Sequence, residues 1–167
     1  MPSTYEPIAT STLGSAAASI TFSSIPATYT DLRFTLVVNT TTTGSEGIRL
    51  QYNNDTSTNY SDTYLSGNGS SAVSGRDTSA SYIILHYDGT STTIPTFYFG
   101  DVFSYAGSTF KTALTGSSED KNGSGNVTRN VGLWRSTSAI TTLKLGNAGG
   151  GNFNAGTIAT LYGIKNA

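Results

Sequence analysis

Val127-Thr128-Arg129-Asn130-Val131-Gly132-Leu133-Trp134-Arg135 is followed by Ala139-Ile140-Thr141-Thr142-Leu143-Lys144-Leu145. After a Gly/Asn-rich gap comes Gly156-Thr157-Ile158-Ala159-Thr160-Leu161-Tyr162-Gly163-Ile164. Each run is short and alternating, and residues that bend the chain bound it. Strand side chains alternate faces, so Val127, Arg129, Val131 and Leu133 share one side of the first run. Thr128, Asn130, Gly132 and Trp134 share the other. Ile158, Thr160, Tyr162 and Ile164 likewise share a face. Trp134, the only tryptophan, brings a ring whose burial ties strands together. The block predicts sheet and carries no catalytic motif.

The same texture extends upstream. Leu32, Phe34, Leu36 and Val38 form one apolar face of a strand over Asp31 to Asn39, opposite Arg33, Thr35 and Val37. Shorter strands are expected at Ser19–Ser23, Gly47–Tyr52 and Tyr60–Ser66. Ser81-Tyr82-Ile83-Ile84-Leu85-His86-Tyr87 is apolar on both faces and reads as a central strand, closed by an Asp88-Gly89 turn. Phe97, Phe99, Asp101 and Phe103 alternate with Tyr98, Gly100 and Val102, and a short strand follows at Thr109–Thr115. Gly67–Asp77 and Gly116–Asn126 read as polar loops. Pro2 and Pro7 suit an edge or an unpaired segment, because proline gives a ladder no donor. The sum is about eight to ten short strands without an amphipathic helix, hence an all-β, jelly-roll-like antiparallel β-sandwich. Its expected core includes Phe34, Leu36, Phe97, Phe99, Trp134 and Tyr162.

At 167 residues the expectation is one domain over 1–167, with 1–13 as an extended arm or an edge strand. A chain of this size buries roughly 70% of its unfolded surface, so it requires no disulfide or metal staple. Cysteine is absent, which removes any disulfide framework or Cys-based zinc site. Charged residues make up only 11% of the chain, against roughly 25% in ordinary soluble domains. Net charge is −1 and the nine Lys and Arg are scattered, which argues against a nucleic-acid groove. No Sec-type signal and no apolar stretch of ~20 residues is visible, so no membrane partner is expected.

Sites of chemistry are scarce. His86 is the only histidine and lies in a strand pattern with no Gly-x-Ser-x-Gly elbow, so a Ser-His-Asp triad is not supported. One histidine without cysteine leaves little for a transition metal. Glycosidases need two facing carboxylates, yet Asp31, Glu46, Asp55, Asp62, Asp88, Glu119 and Asp120 fall at strand ends or in loops. Asp101 is the exception, set on the Phe97/Phe99/Phe103 face, where burial would require an arginine or backbone amides beside it. Asn53-Asn54-Asp55 with Asn59 offers oxygen ligands to calcium but lacks EF-hand spacing, and reads as a turn closed by Asx side chains. Asn-x-Ser/Thr triplets at Asn54, Asn59, Asn68, Asn122 and Asn126 follow from composition. Ten tyrosines with loop Asn and Gly are compatible with a recognition surface. Tyr60, Tyr64 and Tyr105 are the candidates for glycan contact. No enzyme activity and no cofactor are expected.

Tyr5-Glu6-Pro7-Ile8-Ala9-Thr10, Ser19-Ile20-Thr21-Phe22-Ser23-Ser24-Ile25-Pro26 and Thr28-Tyr29-Thr30-Asp31-Leu32-Arg33 resemble the opening of a group of tailed-bacteriophage virion proteins. Asn54-Asp55 through Asn59-Tyr60-Ser61 and Thr109-Phe110-Lys111-Thr112 are similar to later blocks, in the same order. So are Gly132-Leu133-Trp134-Arg135-Ser136-Thr137-Ser138-Ala139-Ile140-Thr141 and Leu161-Tyr162-Gly163-Ile164-Lys165. The Gly-rich stretch Gly146–Gly156 departs from that pattern. The resemblance implies a virion structural protein, assembled in the bacterial host cytoplasm, with no catalytic residues. Without a collagen-like or coiled-coil shaft, it implies a capsid decoration (cement) protein, similar to jelly-roll trimers that clamp neighbouring capsid subunits. The major capsid protein or other virion proteins are then the partners, with Tyr5, Glu6 and Ile8 as candidate contacts. A homotrimer would match local three-fold symmetry. The alternative is a tail, neck or head-fibre component binding host-surface carbohydrate.

Overall fold

The computed structural model describes residues 4–42, 47–85 and 90–165. It is an all-β, jelly-roll-like sandwich of twelve strands in two antiparallel sheets, with no α-helix among the described residues. Among the described residues no helix is long and apolar enough to cross a membrane. The large sheet combines β1 (Tyr5–Thr12), β3 (Asp31–Val38), β5 (Tyr60–Gly67), β6 (Ala72–Ala80), β8 (Thr96–Phe103), β9 (Lys111–Asp120), β10 (Gly125–Trp134) and β12 (Ile158–Ile164). Their spatial order is β1-β12-β3-β8-β9-β10-β5-β6. The small sheet takes β2 (Ser19–Phe22), β4 (Ile48–Tyr52), β7 (Ile83–Ile84) and β11 (Leu143–Asn147), ordered β2-β11-β4-β7.

Alternation builds the core. Leu32, Phe34, Leu36 and Val38 of β3 point inward beside Ala159 and Leu161 of β12 and Tyr98 and Val102 of β8. They belong to one apolar cluster with Ile20, Leu50, Leu143 and Leu145 of the small sheet. Trp134, at the end of β10, is buried as expected, packed 5.5 Å from the ring of Tyr52 and stacked 6.2 Å from Tyr60. It joins the two sheets, and its Nε1 donates to Asp55 Oδ2 at 2.8 Å.

Phe97, Phe99 and Tyr162 are not core. Tyr98 and Val102 take the inward positions of β8, which turns Phe97 and Phe99 to the outer surface. On β12, Gly163 faces inward against the Tyr29 ring, where a Cβ would come within 2.3 Å of the ring, so Tyr162 must face out. Gly67–Asp77 is not a loop throughout: residues from Ala72 onward form β6, an edge strand. β9 runs on to Asp120 through residues that read as loop. Nor is Ser81–Tyr87 a central strand. Among its described residues, Ile83–Ile84 pair with β4 at the edge of the small sheet; His86, Tyr87 and the expected Asp88-Gly89 turn lie outside the described residues, as do Glu46 and residues 1–3. The segment expected as an arm or edge strand is an edge strand from Tyr5 onward. β1 pairs with β12, and its ladder is irregular between Pro7 and Ala9, where proline is tolerated.

Candidate functional site

The outward face of the large sheet is built from residues that alternation would place in a core. Directly paired positions give the row Val127–Ser118–Phe97–Val37–Ile158 across β10, β9, β8, β3 and β12. All four apolar members are exposed, Val127 at 62%. The next row is Leu65–Arg129–Gly116–Phe99–Thr35. Gly116 leaves room here, since a Cβ would lie 2.6 Å from the Phe99 ring and 3.0 Å from the Arg129 guanidinium as they stand. That gap lets Arg129 reach across and lie 5.2 Å from the Phe99 centroid, with Arg33 at 6.0 Å. The third row, Thr63–Val131–Leu114–Asp101–Arg33–Tyr162, pairs Asp101 with Arg33 across β8 and β3. Their side chains form an ion pair at 3.5 Å. That face is not core, so Asp101 lies partly exposed on an outer surface, where Arg33 pairs with it.

The inward face of the same end is polar. Ser66, Thr128 and Asn126 are buried and linked: Ser66 Oγ donates to Asn126 Oδ1 at 2.6 Å, and Thr128 Oγ1 donates to the same oxygen at 3.1 Å. Glu119 is buried too, accepting from Thr96 Oγ1 at 2.9 Å and pairing with Lys121 at 2.5 Å. Asp62 points inward from the third position of β5, and its side chain is buried. Sequence reading placed Asp62 and Glu119 at strand ends or in loops. Both lie within strands: Asp62 is third in β5, inside the strand expected at Tyr60–Ser66, and Glu119 falls in the part of β9 beyond Thr115 that reads as loop. Where β9 and β10 turn, a cavity of about 630 Å3 opens between Phe97, Val127, Asn68, Asn126, Glu119 and Asp120.

Of the tyrosines expected at a glycan, Tyr60 and Tyr105 are fully buried and cannot touch one. Tyr60 Oη accepts from the Tyr52 amide at 3.0 Å and donates to the Tyr52 carbonyl at 3.2 Å. Tyr105 Oη donates to the Pro26 carbonyl. Tyr64 is half-buried, its ring lying over Gly75 of β6. The three are not brought together.

Tyr5, Glu6 and Ile8 sit on edge strand β1. Tyr5 is exposed, and its Oη accepts from Arg33 at 3.2 Å. Glu6 accepts from Lys165 at 3.0 Å and from Tyr29 Oη at 3.2 Å. Lys165 is the main cause holding its carboxyl below the usual range. Ile8 packs partly against the core.

Asp55 closes a turn, accepting from the Ser57 amide at 2.9 Å and from Asn59 Nδ2 at 3.2 Å. Desolvation pushes this carboxyl up, but hydrogen bonds from Ser57, Trp134 and Asn59 prevail and hold it at about 2. Asn53 and Asn54 adopt left-handed backbone, which asparagine tolerates. Asn53 Oδ1 accepts from the Thr141 and Thr142 amides at 2.8 and 3.0 Å. These side chains thus pin one loop to another. Among the described residues, no group of three or more His, Cys, Asp or Glu is arranged to hold a metal.

No protein-family model matches the chain, and comparison with curated proteins finds no significant match. Among solved structures, the crystal structure of Caenorhabditis elegans galectin LEC-6 is similar at 12% identity and a TM-score of 0.34, over 94% of this chain and 96% of that one. A likeness of this order carries no argument about what the present chain binds.

Proposed function

We propose that this chain is a bacteriophage virion structural protein: a capsid decoration protein that lays the outer face of its large sheet against the shell. The single observation that carries the reading is that face. Val127, Phe97, Val37 and Ile158 stand exposed in one row, flanked by Arg129 and Arg33 on Phe99. Contiguous exposed apolar surface of this kind marks interaction sites in soluble proteins. Aromatic rings with stacked arginines are the residue types that dominate interface energetics. The resemblance of the sequence blocks to tailed-phage virion proteins supplies the class of partner. Trimerisation belongs to the same proposal, since a closed ring matches a local three-fold of the shell.

Co-sedimentation with purified shells of the parent virus is the test. Wild type is expected to bind in stoichiometric, shell-wide amounts. Val127→Lys with Leu65→Lys, both at exposed positions, is expected to keep the thermal midpoint while cutting binding at least tenfold. Binding unchanged by the pair would overturn the assignment of this face.

A tail, neck or head-fibre component that binds host carbohydrate is the second reading. It is favoured by the 630 Å3 cavity, where the Phe97 ring stands beside amide and carboxylate side chains. Retention on host polysaccharide without retention on shells would select it.

A further inference from the structure

β5 and β6 set two carboxylates face to face. Asp62 is directly opposite Asp77 across the antiparallel pair, an arrangement that destabilises strands unless something offsets it. Asp77 lies on an exposed edge strand, but Asp62 is only 4% exposed. Its Oδ1 has no hydrogen-bond partner, and Oδ2 meets only Asn130 Nδ2 at 3.5 Å, the outer limit of a hydrogen bond. Asn130 of β10 is itself 2% exposed. Its Nδ2 donates to the Ile84 carbonyl, which fixes the amide's orientation and leaves Oδ1 without a partner. Two buried acceptor oxygens without a donor therefore sit on abutting side chains. Leaving such groups unsatisfied costs about 1–3 kcal/mol each, more when charged.

The residue paired with Asp62 across β10 supplies no side-chain donor. Inward beside Asp62 stands Gly132, its space filled by the Ile83 side chain. Burial, and then the charge of Asp77, push the Asp62 carboxyl up to about 7, with Asn130 opposing only in part. A cation held between the two facing carboxylates would offset their repulsion and give both orphan oxygens a partner.

We propose that Asp62, Asp77 and Asn130 hold a calcium ion, with water from the exposed β6 side completing its shell. Carboxylate and amide oxygens are the ligands hard divalent cations take, and calcium accepts irregular sets at 2.3–2.6 Å where magnesium demands a strict octahedron. The site is independent of the docking face, since Asp62 and Asn130 point into the sandwich.

Calorimetric titration of the full chain with calcium chloride at pH 8, paired with thermal unfolding in calcium and in chelator, tests it. Saturable one-to-one binding with a raised midpoint is expected. Asp62→Asn is expected to abolish binding, and Asp77→Asn, altered on an exposed strand, to weaken it at least tenfold while the chelated protein keeps its fold. Should Asp62→Asn fail to fold, Asp77→Asn alone decides. Absence of calcium binding in wild type at millimolar concentration overturns the proposal and leaves Asp62 a proton holder. Binding unaltered in Asp77→Asn overturns it as well.

Discussion

Asp62 and Asp55 show how one residue type acquires opposite pH behaviour from its surroundings. Asp62 titrates near 7 in the fold, raised first by burial and then by Asp77. Its contribution is therefore full in acid and lost as pH climbs from about 4 to about 7. In chelator, stability should fall over that window by on the order of a few kcal/mol. Asp62→Asn should flatten the profile, as denaturant titrations at pH 4 and pH 8 would show. Asp55 runs the other way. Held at about 2 by Ser57, Trp134 and Asn59, it stabilises at neutral pH and loses that contribution only as pH falls from about 4 through 2. Trp134 couples that carboxylate to the core. Replacing it with alanine should cost about 3–5 kcal/mol in denaturant unfolding, a change under 1 contradicting its buried placement. The burial of this ring was legible because the chain has only one tryptophan and it ends an alternating run. The burial of Asp62 was not, since no local pattern distinguishes a buried aspartate from an exposed one.

Strand β10 carries its polarity inverted, with Val127, Val131 and Leu133 turned outward and Asn126, Thr128 and Asn130 turned inward. Alternation fixes which residues share a face, but what covers each face is decided by sheet stacking, which one strand does not encode. The same physics misplaces Phe97, Phe99 and Tyr162. β6 was illegible for a related reason: as an edge strand exposed along its length, it needs no apolar residues and so reads as loop. β3, which has one strongly apolar face and one mixed face, was read without error. Contact between the sheets at the β10 end rests on a small residue. Gly132 accepts the Ile83 side chain, and a Cβ there would lie 2.6 Å from its Cδ1. Gly132→Ala is expected to cost about 1–3 kcal/mol, and Ile83→Ala in the same chain should recover part of it. Strict additivity in that double-mutant cycle would show that the two do not share the space.

For the whole molecule, a sandwich with a large sheet of eight strands and a small one of four leaves much of the larger sheet to face outward. Its inner half near β3 is apolar and covered, and its open outer surface carries the row Val127, Phe97, Val37 and Ile158 among polar and charged residues. The sandwich class follows from many short strands punctuated by turns, and so was legible. The docking face was not, because Val37, Phe97, Val127 and Ile158 meet in one row only through pairings between strands far apart in sequence. Adhesion by that row is the central claim, and cryo-electron microscopy of the parent virion tests it most directly. The account predicts density for this chain repeated over the shell, with the β10-β9-β8-β3 surface against capsid subunits. Density confined to the tail or a single vertex, or a shell-bound chain with that surface facing solvent, would contradict it.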